Sequence, residues 1–162
     1  MKRLIMIFAV GSILLMSCED EQDPFPFEKP LGLLAGEKGG SKSWVLEAVT
    51  FNGVNKPVTE CESDDIYTFY NNDSQKFVIT AGGQKCDAGE ADVLEEGAWM
   101  FSRDGKTIII ASNYVHTTKL VSFFGLSRAA NILELTETDF RMEINVVKDG
   151  EGAVIVISFN AS

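Results

Sequence analysis

Apolar and polar residues alternate in short stretches along the chain from residue 42 onward. The stretches are bounded by Gly, Asn or Asp, a pattern typical of β-strands joined by turns. No stretch of this region shows the period of about 3.6 residues that an amphipathic helix requires. The pattern predicts strands over residues 43–51, 65–70, 76–81, 97–102, 106–111, 116–124, 131–136, 139–147 and 153–160. We therefore predict an all-β protein.

The alternation also predicts which side chains face inward. Phe140, Met142, Ile144 and Val146 share one face of their strand, and the positions between them are polar or charged. A slip of one residue would expose all four, so the register is well specified. The strand at 153–160 is apolar on both faces, so it either pairs centrally where the sheet closes or has its outer face covered. We predict an antiparallel up-and-down meander of about eight or nine strands that closes into a β-barrel, because closure removes the sheet edges.

The N-terminus carries a different pattern. Two basic residues precede an apolar run over residues 4–16, and the run leads into residues 15–18 (LMSC). A helix of that length rises only about 20 Å, whereas a bilayer core is about 30 Å thick, so we expect no permanent spanning helix. The segment resembles a bacterial lipoprotein signal peptide with its lipobox. The resemblance implies removal of residues 1–17, a lipid on Cys18 and an extracytoplasmic protein. The alternatives are a buried N-terminal element and secretion with cleavage elsewhere.

Residues 18–41 are predicted to form a flexible linker. Residues 19–23 are acidic, and three prolines favour extended conformations before a glycine-rich end. The acidic run is either a solvated spacer or an export tag, since it is similar to the tag that sends some Gram-negative lipoproteins to the outer face of the outer membrane. Five apolar side chains of this segment either stay in the linker or dock on the domain. They are Phe25, Phe27, Leu31, Leu33 and Leu34. We expect an outer-membrane lipoprotein that faces the periplasm or the cell exterior.

Several motifs in the strand region resemble those of small bacterial lipocalin-like lipoproteins. They are residues 64–69 (DDIYTF), 97–99 (GAW), 104–108 (DGKTI) and 132–138 (ILELTET). Lipocalins that carry ligands open with Gly-x-Trp, whereas Trp44 here follows Lys-Ser. The resemblance covers most of the strand region and implies one lipocalin-like barrel domain over residues 42–162.

Charge narrows the range of partners. Removing residues 1–17 takes away two of the 14 basic residues and none of the 24 acidic ones, which leaves a net charge of −12. So acidic a chain repels phosphate backbones and offers no polybasic patch to anionic lipids. We therefore expect no nucleic-acid partner, and membrane contact only through the lipid on Cys18, because two or more acyl chains anchor a protein stably.

Two further cysteines form an even pair in an oxidising compartment. Cys61 and Cys86 flank the predicted hairpin at 65–81, so a disulfide between them would join its two ends. A redox or metal pair is the alternative. The spacing is not Cys-x-x-Cys, and the chain has one histidine, which argues against a zinc site. We predict a Cys61–Cys86 disulfide, no metal and no cofactor.

The sequence offers little that would support catalysis. His116 is the only histidine and no Gly-x-Ser-x-Gly elbow accompanies it, so we interpret it as a surface or rim residue. Residues 64–65 and 95–96 are carboxylate pairs of the kind used in glycoside hydrolysis or calcium binding. Adjacent strand residues point to opposite faces, however. We therefore interpret both pairs as solvated flanks of turns and predict that the protein is not an enzyme.

Large aromatic side chains are the feature most relevant to function. Six of them are predicted to line the barrel and to contact a ligand: Trp44, Tyr67, Phe69, Trp99, Phe101 and Phe140. The interior of an eight-stranded barrel is either filled by side chains or holds one small ligand. The first predicted function is binding of a small apolar ligand. The alternative is a non-catalytic accessory or protein-interaction subunit of an outer-membrane complex, with a solid core.

Overall fold

A computed structural model describes residues 28–115, 128–148 and 151–162. The elements in chain order are α1 (Glu28–Ala35), β1 (Ser41–Phe51), β2 (Val54–Lys56), α2 (Glu60–Ser63), β3 (Ile66–Tyr70), β4 (Lys76–Thr80), β5 (Val93–Phe101), β6 (Thr107–Val115), β7 (Arg128–Leu135), β8 (Asp139–Lys148) and β9 (Glu151–Ala161). The predicted signal segment, Cys18, His116 and the predicted strand at 116–124 lie outside the described residues. Within the described ranges, no helix has the length and apolar character needed to cross a membrane.

The strands form one antiparallel sheet that closes into an eight-stranded barrel with one extra strand. β1 and β3 to β9 follow one another around the barrel, and β1 also pairs with β9 to close it. β2 pairs with the last three residues of β1. These pairings confirm the predicted all-β, up-and-down barrel. Of the two alternatives for β9, pairing at the closure is observed, since β9 lies between β8 and β1.

The chain reverses between β1 and β2 through a two-residue turn. Asn52 and Gly53 have φ angles of 50° and 77°, as a type I′ hairpin turn requires at both positions. The alternation of apolar residues does not predict β2, whose three residues are all exposed.

The structure corrects the predicted flexible linker over residues 28–35, where it has the helix α1. Pro30 lies in the first helical turn, where a missing N–H removes no helical hydrogen bond, and Gly36 ends the helix with φ of 76°. Leu34 and Ala35 are fully buried, and α1 packs against β1, β3 and β7. This burial stabilises a helix that is too short to be stable alone. Of the two alternatives for the apolar side chains of the linker, docking is observed for Leu34.

The strand directions define two ends of the barrel. The helix end is covered by α1 and carries the turns at 71–75, 102–106 and 136–138. The loop end lies opposite and carries the Asn52–Gly53 turn, α2 and the loop at 81–92.

Gly97 allows β5 and β6 to approach each other closely. A Cβ atom at this position would collide with the carbonyl oxygen of Ala111 and would lie 2.8 Å from the Phe77 ring. The pairing of β5 with β6 shifts by one residue between Glu96 and Gly97, which marks a β-bulge. The glycine is therefore required by packing.

We predict that Gly97→Ala lowers the free energy of unfolding by about 1–3 kcal/mol, because overpacking forces the backbone to shift. Gly152→Ala is the matched control, since a Cβ atom there meets nothing within 4 Å, and we expect a change within about 0.5 kcal/mol. Urea denaturation followed by circular dichroism measures both. Equal effects of the two substitutions would show that the bulge does not need a glycine.

Candidate functional site

The six aromatic residues predicted to line the barrel all belong to its core. Five of them are almost completely buried, and Phe101 is partly buried against the same cluster. Their rings contact one another edge to face: the ring centroids are 5.8 Å apart for Phe69 and Trp99, 5.4 Å for Trp99 and Phe101, and 6.2 Å for Phe69 and Phe140. The structure thus brings these residues together as packing partners. Contact between these rings and a ligand stays a prediction.

Trp44 connects the ring cluster to the helix end. Its indole Nε1 donates a hydrogen bond of 2.9 Å to the carbonyl oxygen of Leu34, and its ring centroid lies 5.7 Å from that of Phe140. The last carbonyls of a helix have no partner within the helix. Trp44 satisfies one of them, and the side chain of Asn71 donates to the carbonyl oxygen of Gly36 at 2.7 Å. The helix end is therefore filled by rings and covered by α1.

Three rows of inward side chains cross β1, β9 and β8 and show where the filled interior ends. The outer row, nearest the loop end, is Phe51, Ile155 and Ile144; the floor row is Val49, Ile157 and Met142; the deep row is Leu46, Phe159 and Phe140. In the outer row, 36% of the surface of Phe51 is exposed and Ile155 is half-buried, whereas Ile144 is only 4% exposed. No floor-row residue is more than 3% exposed. Such residues have almost no space beside them that would hold a water molecule, so the interior under β1, β9 and β8 is filled up to the floor row.

Apolar side chains remain exposed at the loop end. Val54 is 63% exposed and Val147 is 80% exposed. Val54 pairs with Phe51 across the β1–β2 hairpin, and the Lys56 ammonium lies 5.5 Å from the centroid of the Phe51 ring. The alternation of apolar and polar residues does not predict that Val54 and Val147 are exposed at the loop end, because it does not distinguish one end of a strand from the other. The predicted strand over residues 43–51 already ends at Phe51, and the Asn-Gly pair at residues 52–53 was the signal that a hairpin turn follows it.

The structure corrects the interpretation of the two carboxylate pairs as solvated turn flanks. Asp65 and Glu95, one from each pair, are 1% and 0% exposed. The hydroxyl of Ser112 donates to Glu95 Oε1. Leu94 is an extra residue in the pairing of β5 with β4, so the consecutive residues Leu94 and Glu95 are both buried. Asp65 lies on the face of Tyr67, and Glu95 lies on the face of Trp99, so alternation places both inward. They were missed because charged side chains are rarely buried.

Tyr67 lies near these carboxylates and is itself buried. Burial first, and then the negative charges of Asp65, Glu95 and Glu62, raise the pKa of the Tyr67 hydroxyl well above its usual range. The phenol therefore stays protonated at neutral pH. Its ring packs edge to face on Phe159, with centroids 4.9 Å apart. The barrel thus encloses a few polar groups in a largely apolar interior.

A disulfide joins two segments of the loop end. Cys61 in α2 is bonded to Cys86 in the β4–β5 loop, with a Cα–Cα distance of 5.3 Å, which confirms the predicted bridge. Beside it, Asp64 Oδ2 accepts a hydrogen bond of 2.8 Å from the backbone N–H of Gln84, and Gly82 packs directly against Asp64. The loop-entropy model gives such a bridge about 3.5 kcal/mol of stabilisation for a loop of about 25 residues.

A separate open cleft of about 730 Å³ lies at the helix end, between α1 and the turn at 71–75. Its walls include Glu28, Leu31, Lys38 and Gln75, a mixture of charges and an amide without an aromatic ring. In the part of the chain that the structure describes, no three His, Cys, Asp or Glu side chains are placed to hold a metal ion. The cleft therefore combines charged, amide and apolar walls and is open to solvent.

The family comparison agrees with this geometry. The model of the lipocalin-like domain family matches residues 41–142, from the start of β1 to the floor-row residue Met142, and the chain belongs to this family. Proteins of the lipocalin family are generally binding proteins rather than catalysts. No curated protein matches the chain.

We predict that the buried Tyr67 makes the protein less stable in alkali. Above pH of about 10, an unfolded tyrosine loses its proton while the raised pKa keeps Tyr67 protonated in the folded state. The free energy of unfolding then falls by up to about 1.4 kcal/mol per pH unit from this group.

Urea titrations between pH 9 and 11.5 test this. Tyr67→Phe should show a shallower alkaline loss than the parent. Tyr70→Phe, the matched substitution on the outer face of the same strand, should keep the loss of the parent. An unchanged slope in Tyr67→Phe would contradict the prediction.

Proposed function

We propose that this lipocalin-like chain binds one small, mostly apolar molecule at the loop end of its barrel, above the floor row. The observation that supports this most directly is the change in exposure between two neighbouring rows of inward side chains. Phe51 and Ile155 are accessible to solvent, while Ile144 in the same row and the whole row below them are buried. Ligand sites are largely apolar and furnished with few polar groups, and the outer row shares that composition.

The chemistry of this region favours an apolar ligand. The outer row offers an aromatic ring and two isoleucine side chains, and Val146 and Ala153 continue the apolar wall toward the loop end. The hydroxyl of Ser112 is engaged within the protein, because it donates a hydrogen bond to Glu95. An apolar wall selects mainly by shape and contributes about 25 cal/mol per Å² of buried surface, so we expect loose and broad binding of small molecules.

Membrane anchoring through Cys18 is part of the same proposal. It is supported by the residues LMSC at 15–18 and by the basic and apolar segment before them. Because α1 begins at Glu28, nine residues separate it from Cys18, and they span at most about 30 Å. The segment that would tether the domain to the outer membrane, residues 19–27, is thus shorter than the predicted linker over residues 18–41.

A second candidate function is docking to a protein partner in the outer membrane. One observation favours it: an uncharged row crosses the outer wall of the barrel through Met100, Ile109 and Ala129. Met100 is 51% exposed in this row, and exposed apolar patches often mark interaction sites. Loss of a co-purifying protein from a Met100→Asp variant whose ligand binding is unchanged would favour this function.

We predict that a small apolar molecule shifts the methyl resonance of Met142 and leaves that of Met100 unchanged. Met142 lies in the floor row and Met100 on the outer wall, so carbon-13 labelling of methionine methyl groups gives a site reporter and an internal control. Titrations with short alcohols, indole and small neutral steroids are suitable. If Met142 does not respond to any of them, binding above the floor row is contradicted.

We predict that Cys18→Ser releases the protein from the membrane fraction. The substitution removes the sulfur that would carry the lipid, and no polybasic patch would replace the anchor. Cell fractionation with immunodetection is the measurement, and Cys61→Ser is the control that keeps Cys18. A Cys18→Ser protein that sediments with membranes as the parent does would rule out the lipid anchor.

A further inference from the structure

We infer that the cleft between α1 and the turn at 71–75 binds a small organic cation that carries ammonium groups along an aliphatic chain, as a polyamine does. The cleft lies at the helix end of the barrel, so this site is separate from the proposed site at the loop end and does not depend on it. Its volume of about 730 Å³ falls within the range of about 300–1,000 Å³ that is usual for ligand sites.

The charged side chains of the cleft favour a cation. Glu28, Glu37 and Asp73 contribute three negative charges and Lys38 contributes one positive charge, which leaves a net charge of −2. The carboxylates come from three separate segments, namely the first turn of α1, the loop between α1 and β1, and the β3–β4 turn. Within the described ranges, none of the three side chains takes part in an ion pair or a hydrogen bond. A cationic ligand would therefore meet carboxylates that no described cation of the protein neutralises.

A buried amide adds an acceptor to the same wall. Asn71 lines the cleft and is 8% exposed. Its side-chain nitrogen donates to the carbonyl oxygen of Gly36, whereas its side-chain oxygen accepts no hydrogen bond from any residue that the structure describes. Among those residues, Asp64 Oδ1 is the one side-chain atom that is both fully enclosed and unpartnered, so the Asn71 oxygen remains accessible. Buried amide oxygens normally have a partner, and an ammonium group supplies up to three donors.

The walls are held in place by hydrogen bonds that join the loop after α1 to the β3–β4 turn. The backbone N–H of Gly39 donates to the carbonyl oxygen of Asn71 at 2.7 Å, and the N–H of Asn71 donates to the carbonyl oxygen of Gly40 at 2.9 Å. Within the turn, the N–H of Gln75 donates to the carbonyl oxygen of Asn72 at 2.9 Å. A ligand would therefore find the cleft already formed, and binding would not have to order a loop.

Gly32 leaves space for a ligand on the helix side of the cleft. It lies inside α1, where glycine is less favourable than alanine, and its φ angle is not positive, so the backbone does not require a glycine. A Cβ atom at this position meets nothing within 4 Å, so packing does not require a glycine either. With Leu31 beside it, Gly32 gives the aliphatic part of a polyamine an uncharged surface to lie on.

The arrangement of the carboxylates favours an extended cation over a metal ion. In the described part of the chain, Glu28, Glu37 and Asp73 do not form a group that could hold a metal ion. A flexible chain with several ammonium groups can meet such dispersed carboxylates one at a time. Because the charged side chains are exposed, each ion pair is weak and screened by salt. We therefore expect an affinity that falls as the salt concentration rises.

Calorimetric titration of the full chain with spermidine at low ionic strength tests this site. Glu37→Gln and Asp73→Asn should each weaken binding by about two- to fivefold, because each removes one ion pair. Lys38→Gln should strengthen binding by a similar factor, because it removes a like charge. Glu151→Gln is the matched control, since it makes the same change in net charge at the start of β9, at the opposite end of the barrel.

Two substitutions at Gly32 test whether the cation enters the cleft. Gly32→Leu should abolish binding by filling the space beside the helix, whereas Gly32→Ala should keep it. Both introduce better helix formers, so circular dichroism should show an intact fold in each. Mg²⁺ at the same charge concentration should not displace spermidine from the parent. If Gly32→Leu proves misfolded, the charge variants decide the question alone.

The outcomes are distinct. Weaker binding in Glu37→Gln and in a folded Gly32→Leu, with unchanged binding in Glu151→Gln, supports the site. Equal weakening in Glu151→Gln and Glu37→Gln would show diffuse attraction to an acidic protein and would overturn the site. Parent-like binding in a folded Gly32→Leu, displacement by Mg²⁺, or no binding by the parent would overturn it too. None of these results bears on the loop end, which the methyl resonance of Met142 tests separately.

Discussion

The pairing of β1 with β9 is the constraint on which the rest of this structure depends. β1 pairs with β3 through its first five residues, with β9 from Trp44 onward and with β2 through its last three residues. Because this closure leaves no exposed edge along most of the sheet, every inward side chain is enclosed by other strands. The row of Leu46, Phe159 and Phe140 exists only because β1 is joined to β9 and β9 to β8. The same closure encloses an interior that is filled by side chains from the α1 end up to the floor row.

Strict alternation explains which parts of the fold could be predicted from the sequence. The strand at 139–147 alternates without interruption, and β8 matches it to within one residue. β5 begins four residues before its predicted start, because its first half contains two adjacent glutamates and an extra residue, Leu94, in the pairing with β4. α1 was missed for a different reason: eight residues with a proline in the first turn give a weak helical signal, and their stability comes from contacts with the barrel. The alternation of apolar and polar residues thus predicts the strands. Bulges and docked segments depend on tertiary contacts, which this local pattern does not specify.

The distinction between local sequence pattern and tertiary contacts also applies to the candidate site. The inward positions of Phe69, Trp99 and Phe140 follow from alternation alone, and the structure has them inside the barrel. Whether neighbouring rings leave room for a ligand depends on distances across the barrel, which a single sequence does not provide. The burial of Glu95 was predicted incorrectly although alternation puts it on the same face as Trp99, because a charged side chain was expected to stay in solvent. Cys61 and Cys86 could be paired from compartment and spacing, since few other partners were available.

An eight-stranded barrel has a limited interior, so packing and binding compete for the same space. Under the proposed function, the two are separated along the barrel axis. Near the helix end, Trp44, Phe69 and Phe140 occupy the interior and contact one another. Near the loop end, Phe51 is partly exposed, and the disulfide holds α2 against the β4–β5 loop. Under the proposed function, substitutions at the partly exposed Phe51 are expected to change ligand preference at less cost in stability than substitutions in the deep row, where the cavity left by a phenylalanine costs about 3–5 kcal/mol. Binding specificity in this barrel is accordingly expected to depend on the outer row and the loop end, and fold stability on the rings behind them.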